Sequence, residues 1–140
     1  MKSIYEIFDE FEMAEDENEQ IQIISSNLSN TLTEVLKLTY HPDYQWYVDK
    51  LPENYIMPDH PPGMGLTQLT TELRRIYLFQ KGHPTADSFS EKKREELLLQ
   101  FLEGFEPREV EVVIGIFKKD QRVKGLNYEF VKKYFPSMLP

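Results

Sequence analysis

The chain contains no cysteine, which excludes a disulfide framework, a zinc–thiolate site and a cysteine nucleophile. It contains no apolar run near the roughly 18 residues that a membrane span requires. Its opening, Met1 to Glu6, turns acidic without an apolar signal core, so a soluble cytoplasmic protein is expected. Cations are scarce at the start: residues 1–60 hold 3 Lys and Arg against 13 Asp and Glu, whereas residues 61–140 hold 13 against 11. The net charge of −8 argues against generic nucleic-acid binding, but it is placed almost wholly in the first half.

Catalytic signatures are absent too. No G-x-x-x-x-G-K-[ST] loop, G-x-G-x-x-G turn or G-x-S-x-G elbow occurs, which removes the usual scaffolds for nucleotide binding and serine hydrolysis. His41, His60 and His83 each precede a proline, a turn signature rather than a metal-ligand spacing. The acidic run Ala14 to Glu19 lacks the alternating ligands and glycine of a calcium loop. Carboxylates are abundant, but abundance assigns no general acid or base. Neither an enzyme nor a metal or cofactor site is expected.

What is present reads as helix. At 140 residues, 40% hydrophobic and 13% aromatic, the chain supports a single domain over residues 1–140 with a real core. Ile4, Ile7, Phe8 and Phe11 fall on one helical face, with Ser3 and Glu6 at capping-box spacing. Helices are predicted from about Gln20 to Ser26 and from about Thr31 to Tyr40, the second again with a capping-box pair, Thr31 and Glu34. His41-Pro42-Asp43 breaks the pattern, and a brief aromatic helix is predicted over Tyr44–Leu51. There, Tyr44, Trp46 and Tyr47 read as core before they read as a base-stacking platform. Pro52 to Gly65 is rich in proline and glycine and forms the longest loop, with Thr67 capping a helix through Phe79. Further helices begin at Ser90 and Pro107, and Asn127 caps a last one stopped by Pro136. Within the second-last of these, the β-branched run Val110 to Ile116 is the one place where a strand is conceivable. The expected fold is all-α, a compact bundle of about seven or eight short helices.

Between the last two helices lies a basic turn. Lys118, Lys119, Arg122 and Lys124 fall within seven positions, with Asp120 the one acid among them, and residues 118–133 carry six bases against two acids. A local excess of this kind acts over a Debye length of about 8–10 Å; on composition alone it reads first as a solvated helix end and second as a phosphate-facing surface. Four phosphate contacts would give a log–log salt slope near about −3.6.

The stretch Leu32 to Pro52 and the segment Gly63-Met-Gly-Leu-Thr-Gln-Leu69 resemble the N-terminal helical DNA-binding domain of the ATP-dependent DNA ligases of T-even bacteriophages. The most specific match is the C-terminal unit: a helix, Lys-Asp-x-Arg-x-x-Gly at Lys119, Asp120, Arg122 and Gly125, then a short helix ending in Phe135-Pro136. The resemblance covers about residues 20–140 and extends to short stand-alone proteins of T-even-like viruses of marine cyanobacteria. It implies a ligase DNA-binding-domain-like fold in the cytoplasm of an infected bacterial host. It also implies duplex DNA, nicked or intact, as partner, met by Lys118, Lys119, Arg122, Lys124, Gly125, Asn127 and Lys132. Gly125 would allow close backbone approach. The K-x-D-G motif of the ligase nucleotidyltransferase domain is absent, so this chain could hold DNA without sealing it. The competing reading is a protein-interaction module or DNA mimic. Its acidic half, Glu6 to Glu19 above all, would dock on a replication, repair or transcription protein.

Overall fold

The computed structural model describes residues 2–53, 55–56 and 68–140, and among them every named element is a helix, with no strand. Helix α1 spans Ile4–Met13, α2 Glu17–Ser26 and α3 Asn30–Tyr40. The predicted α1 stripe is the buried face: Ile4, Ile7, Phe8 and Phe11 all leave solvent. Ser3 precedes α1 in extended conformation, yet its side chain makes no cap bond. Asp16 caps α2 by accepting from the Glu19 N–H at 2.8 Å, which brings the acidic run into the first helical turn, where the helix dipole favours it. The cap of α3 is Ser29, accepting from Leu32 N–H at 3.1 Å, while Thr31 turns away and donates to Thr70 Oγ1.

The aromatic segment after α3 is not the predicted helix. Tyr44 to Val48 runs extended because it is tied across to the 79–81 stretch. Tyr47 N–H donates to the Phe79 carbonyl, Lys81 N–H donates to the Gln45 carbonyl, and Trp46 bridges Gln80 in antiparallel sense. Trp46 is buried, parallel to Tyr44 at 6.3 Å and edge-on to Phe117 at 5.6 Å, so it is core. The predicted loop Pro52–Gly65, its His60 and the Thr67 cap lie mostly or wholly outside the described residues. The helix expected through Phe79 appears as one short α-turn, α4 (Leu69–Glu72), followed by a 3₁₀ helix over Leu73–Phe79. The tighter winding eclipses side chains three apart and still buries Leu73, Ile76 and Phe79.

Helix α5 (Pro84–Asp87) is a single turn, and α6 (Glu91–Leu102) starts on Ser90, whose hydroxyl accepts from Lys93 N–H. Helix α7 (Pro107–Phe117) carries proline in its first turn and is the central element, packed on both α1 and α3. Val110, Val112, Val113, Ile114, Ile116 and Phe117 are all buried, so the β-branched run is helix wrapped on most of its circumference rather than strand. Helix α8 (Tyr128–Tyr134) follows the basic turn, and a final 3₁₀ turn covers Pro136–Met138. Its Phe130 packs edge-on to Phe11 at 5.1 Å, closing the C-terminal unit onto α1.

Candidate nucleic-acid interface

Helix α7 ends with a left-handed residue that is not glycine. Lys119 has φ 61°, and Asp120 N–H reaches back to the Gly115 carbonyl at 2.9 Å. Glycine usually fills that position, and an L-residue there costs about 1–2 kcal/mol. The compensation is visible in the side chain. Lys119 Nζ donates to the carbonyls of Leu38 at 3.0 Å and His41 at 2.7 Å, so its ammonium closes the C-terminus of α3. Burial pulls this ammonium down to about 8 from its usual 10.5. Both carbonyls favour the charged form, and burial prevails over them.

Two residues on, Gln121 is buried, and its amide Nε2 donates to Thr39 Oγ1 and to the Val112 carbonyl, both at 3.0 Å. Its backbone N–H donates to the Tyr40 hydroxyl, which in turn donates to the Leu126 carbonyl at 3.2 Å. Burial pushes the Tyr40 phenol up to about 12. The turn is therefore pinned to α3 at both ends, by Lys119 and by the Gln121–Tyr40 pair. Room for the Gln121 amide comes from Gly115, where an added Cβ would lie 2.5 Å from Gln121 Oε1.

Against this scaffold the sequence-predicted residues fall into two groups. Lys118, Arg122 and Lys124 are exposed on the turn and make no ion pair among the described residues. Arg122 has φ 58°, held by its N–H donating to Asp120 Oδ1, and its guanidinium makes only a long contact to the Glu111 carbonyl. The other predicted contacts are engaged by the fold. Lys119 points inward and leaves the phosphate-facing set, because its ammonium is committed to two backbone carbonyls. Gly125, at φ 88°, makes room for Gln20 and Phe11, to which a Cβ would come within 3.0 and 3.5 Å. Asn127 caps α8, accepting from Phe130 N–H at 2.8 Å, and Lys132 Nζ donates to the Leu139 carbonyl at 3.3 Å.

Acids approach the turn from one side. Arg122 lines a groove of about 240 Å³ together with Asp9, Glu12 and Glu111, where Arg108 pairs with Asp9 at 2.7 Å and with Glu111 at 3.4 Å. Sequence reading passed over Gln121, Thr39 and Tyr40, whose association spans more than eighty positions and leaves no local pattern. The lone signal was Gly115, an isolated glycine inside a helical run, which marks a close approach. The histidines serve turns: Nδ1 of His41 accepts from Asp43 N–H, and Nδ1 of His83 accepts from Thr85 N–H. No helix among the described residues is long and apolar enough to cross a membrane.

Comparison with known proteins adds a family and a fold. The model of the Family of unknown function (DUF6433) matches residues 7–124, and the chain belongs to that family. No curated protein matches. Among solved structures, Pmar-Lig_PreS3 is similar with a TM-score of 0.71 over 97% of this chain at 14% sequence identity. This chain spans 31% of that one. The likeness is one of fold: an all-helical architecture.

Proposed function

For this member of the DUF6433 family, we propose a non-catalytic module that meets the phosphate backbone of duplex DNA through the turn after α7, in the cytoplasm of an infected bacterial host. The observation that carries the reading is the trio Lys118, Arg122 and Lys124, exposed and without an acid partner among the described residues on a turn braced against α3. Such cations neutralise phosphates and release counterions, giving affinity with little sequence preference. Bracing lowers the entropic cost of presenting them together. The fold shared with Pmar-Lig_PreS3 supports the same reading.

The test is fluorescence anisotropy with labelled intact and nicked duplexes, comparing the native chain with Lys118→Glu, Arg122→Glu and the double variant. Each single reversal is expected to weaken binding, and the double to abolish it. Native binding that survives both reversals overturns the proposal, as does the absence of native binding at low salt.

A second reading uses the acidic face instead. Glu6, Asp9, Glu12, Glu15, Asp16, Glu17 and Glu19 are all exposed along α1, α2 and the turn between them, presenting a surface suited to a basic replication, repair or transcription protein. Pull-down with Glu15, Glu17 and Glu19 changed to Gln and Asp16 to Asn separates the readings, since Asn keeps the α2 cap. A partner lost from this variant while DNA affinity holds favours docking.

A further inference from the structure

On another part of the surface, the irregular 48–53 segment and helix α6 border a groove of about 460 Å³. Its size falls within the roughly 300–1,000 Å³ of ligand-binding clefts, but it is open to solvent rather than enclosed. Val48 and Leu98 supply a buried apolar floor, with Leu51 and Pro52 half-buried beside them. Around that floor stand the carboxylates of Asp49, Glu53, Glu91 and Glu95, against two cations, Lys50 and Arg94.

The cations offset the rim only in part, two against four carboxylates. Arg94 donates to the carbonyls of Ala86 and Phe89 and lies 3.7 Å over the Tyr47 ring, so its guanidinium is spent within the fold. Lys50 makes no ion pair among the described residues. Elsewhere five acids pair with Lys or Arg, Glu10 with Lys2, Asp9 and Glu111 with Arg108, Glu72 with Arg75 and Glu17 with Lys133, while others such as Glu12, Glu15 and Glu19 stand exposed with no cation paired to them among the described residues. Here four carboxylates gather on one groove of mixed polar and apolar lining, none of them in an ion pair among the described residues. Like charges held together disfavour the free surface and favour a cationic occupant.

Tyr47 gives the groove a fixed aromatic wall. It is 38% exposed, yet its hydroxyl donates to Asp87 Oδ1, which also accepts Gly82 N–H, and Arg94 covers one face of its ring. A rigid, part-exposed tyrosine at low entropic cost is a typical interface anchor.

We propose that this groove docks a basic amphipathic segment of a partner protein, with apolar side chains on Val48, Leu51 and Leu98 and lysine or arginine on the acidic rim. The surface is distinct from the basic turn, so either proposal can fail without the other.

The probe is a fluorescein-labelled short peptide alternating lysine and leucine, followed by anisotropy. The native chain is expected to bind it and to bind glutamate–leucine and lysine–serine peptides at least about tenfold more weakly. Glu91→Gln with Glu95→Gln should weaken binding by a similar factor while circular dichroism stays native. Glu12→Gln with Glu15→Gln, on the other acidic face, should leave it within about twofold. Affinity that ignores Glu91 and Glu95, or that tracks Glu12 and Glu15 instead, overturns the proposal. Sedimentation showing a dimer that the Glu91/Glu95 variant dissociates also overturns it, making a second copy the occupant.

Discussion

Replacing Gly115 with alanine puts a methyl carbon 2.5 Å from Oε1, 2.6 Å from Cδ and 2.9 Å from Nε2 of Gln121. Helix α7 cannot yield without disturbing the buried residues on its other faces, so the amide must move. Moving it breaks the bonds from Nε2 to Thr39 Oγ1 and to the Val112 carbonyl. Two neutral hydrogen bonds contribute about 2 kcal/mol together, and overpacking adds about 1 kcal/mol. Alanine is the better helix former by about 1 kcal/mol, which offsets part of the loss. The expected result is a net destabilisation of about 2 kcal/mol in urea unfolding monitored by circular dichroism.

The sign should invert when the clash is removed beforehand. In a Gln121→Ala background the methyl meets no amide, and Gly115→Ala is expected to stabilise by about 0.5–1 kcal/mol. The coupling between the two sites is then about 2.5–3 kcal/mol. If Gly115→Ala stabilises the native chain as much as it stabilises the Gln121 variant, the packing of the turn against α7 is refuted.

Stability should also depend on pH through Lys119. Below about pH 8 its ammonium is protonated in both states and the fold bears the full cost of burying it; between about 8 and 10.5 the unfolded chain binds the extra proton, so stability rises with pH. Lys119→Met should remove that rise in urea midpoints measured across the window. Tyr40 and Tyr5 act with the opposite sign, because both phenols are pushed up to about 12 and the unfolded chain loses their protons first. Stability should therefore fall as pH climbs past 10, and Tyr40→Phe should lessen the fall. Asn127→Ala, which removes the acceptor for Phe130 N–H, should cost about 1 kcal/mol, with Asn127→Ser recovering most of it.

Helices defined by local signals were legible in the sequence. The i, i+3, i+4, i+7 stripe of α1, the proline opening α7, Ser90 before α6 and Asn127 before α8 all act through contacts within one or two turns. Tyr44–Leu51 was misread because its conformation is fixed from outside, by backbone bonds to residues 79–81. The same exchange engages the end of the 3₁₀ helix, whose Phe79 carbonyl accepts from Tyr47 N–H. At the basic turn, composition showed a cluster of cations but not their directions. Lys119 differs from Lys118 and Lys124 only in where α3 ends, some eighty residues earlier in the chain. Its left-handed backbone is likewise unmarked, since glycine is the residue that usually signals it.

That difference in direction gives the most direct test of the DNA reading. With Lys119 turned inward, three cations remain to meet phosphate, and the slope of log affinity against log salt should be about −2.7 on intact duplex rather than −3.6. Between about 50 and 200 mM salt the affinity should fall about 40-fold. Lys119→Met should leave the slope unchanged, whereas Lys124→Met should bring it to about −1.8. A slope near zero, or one that responds to Lys119 and not to Lys124, would contradict the account.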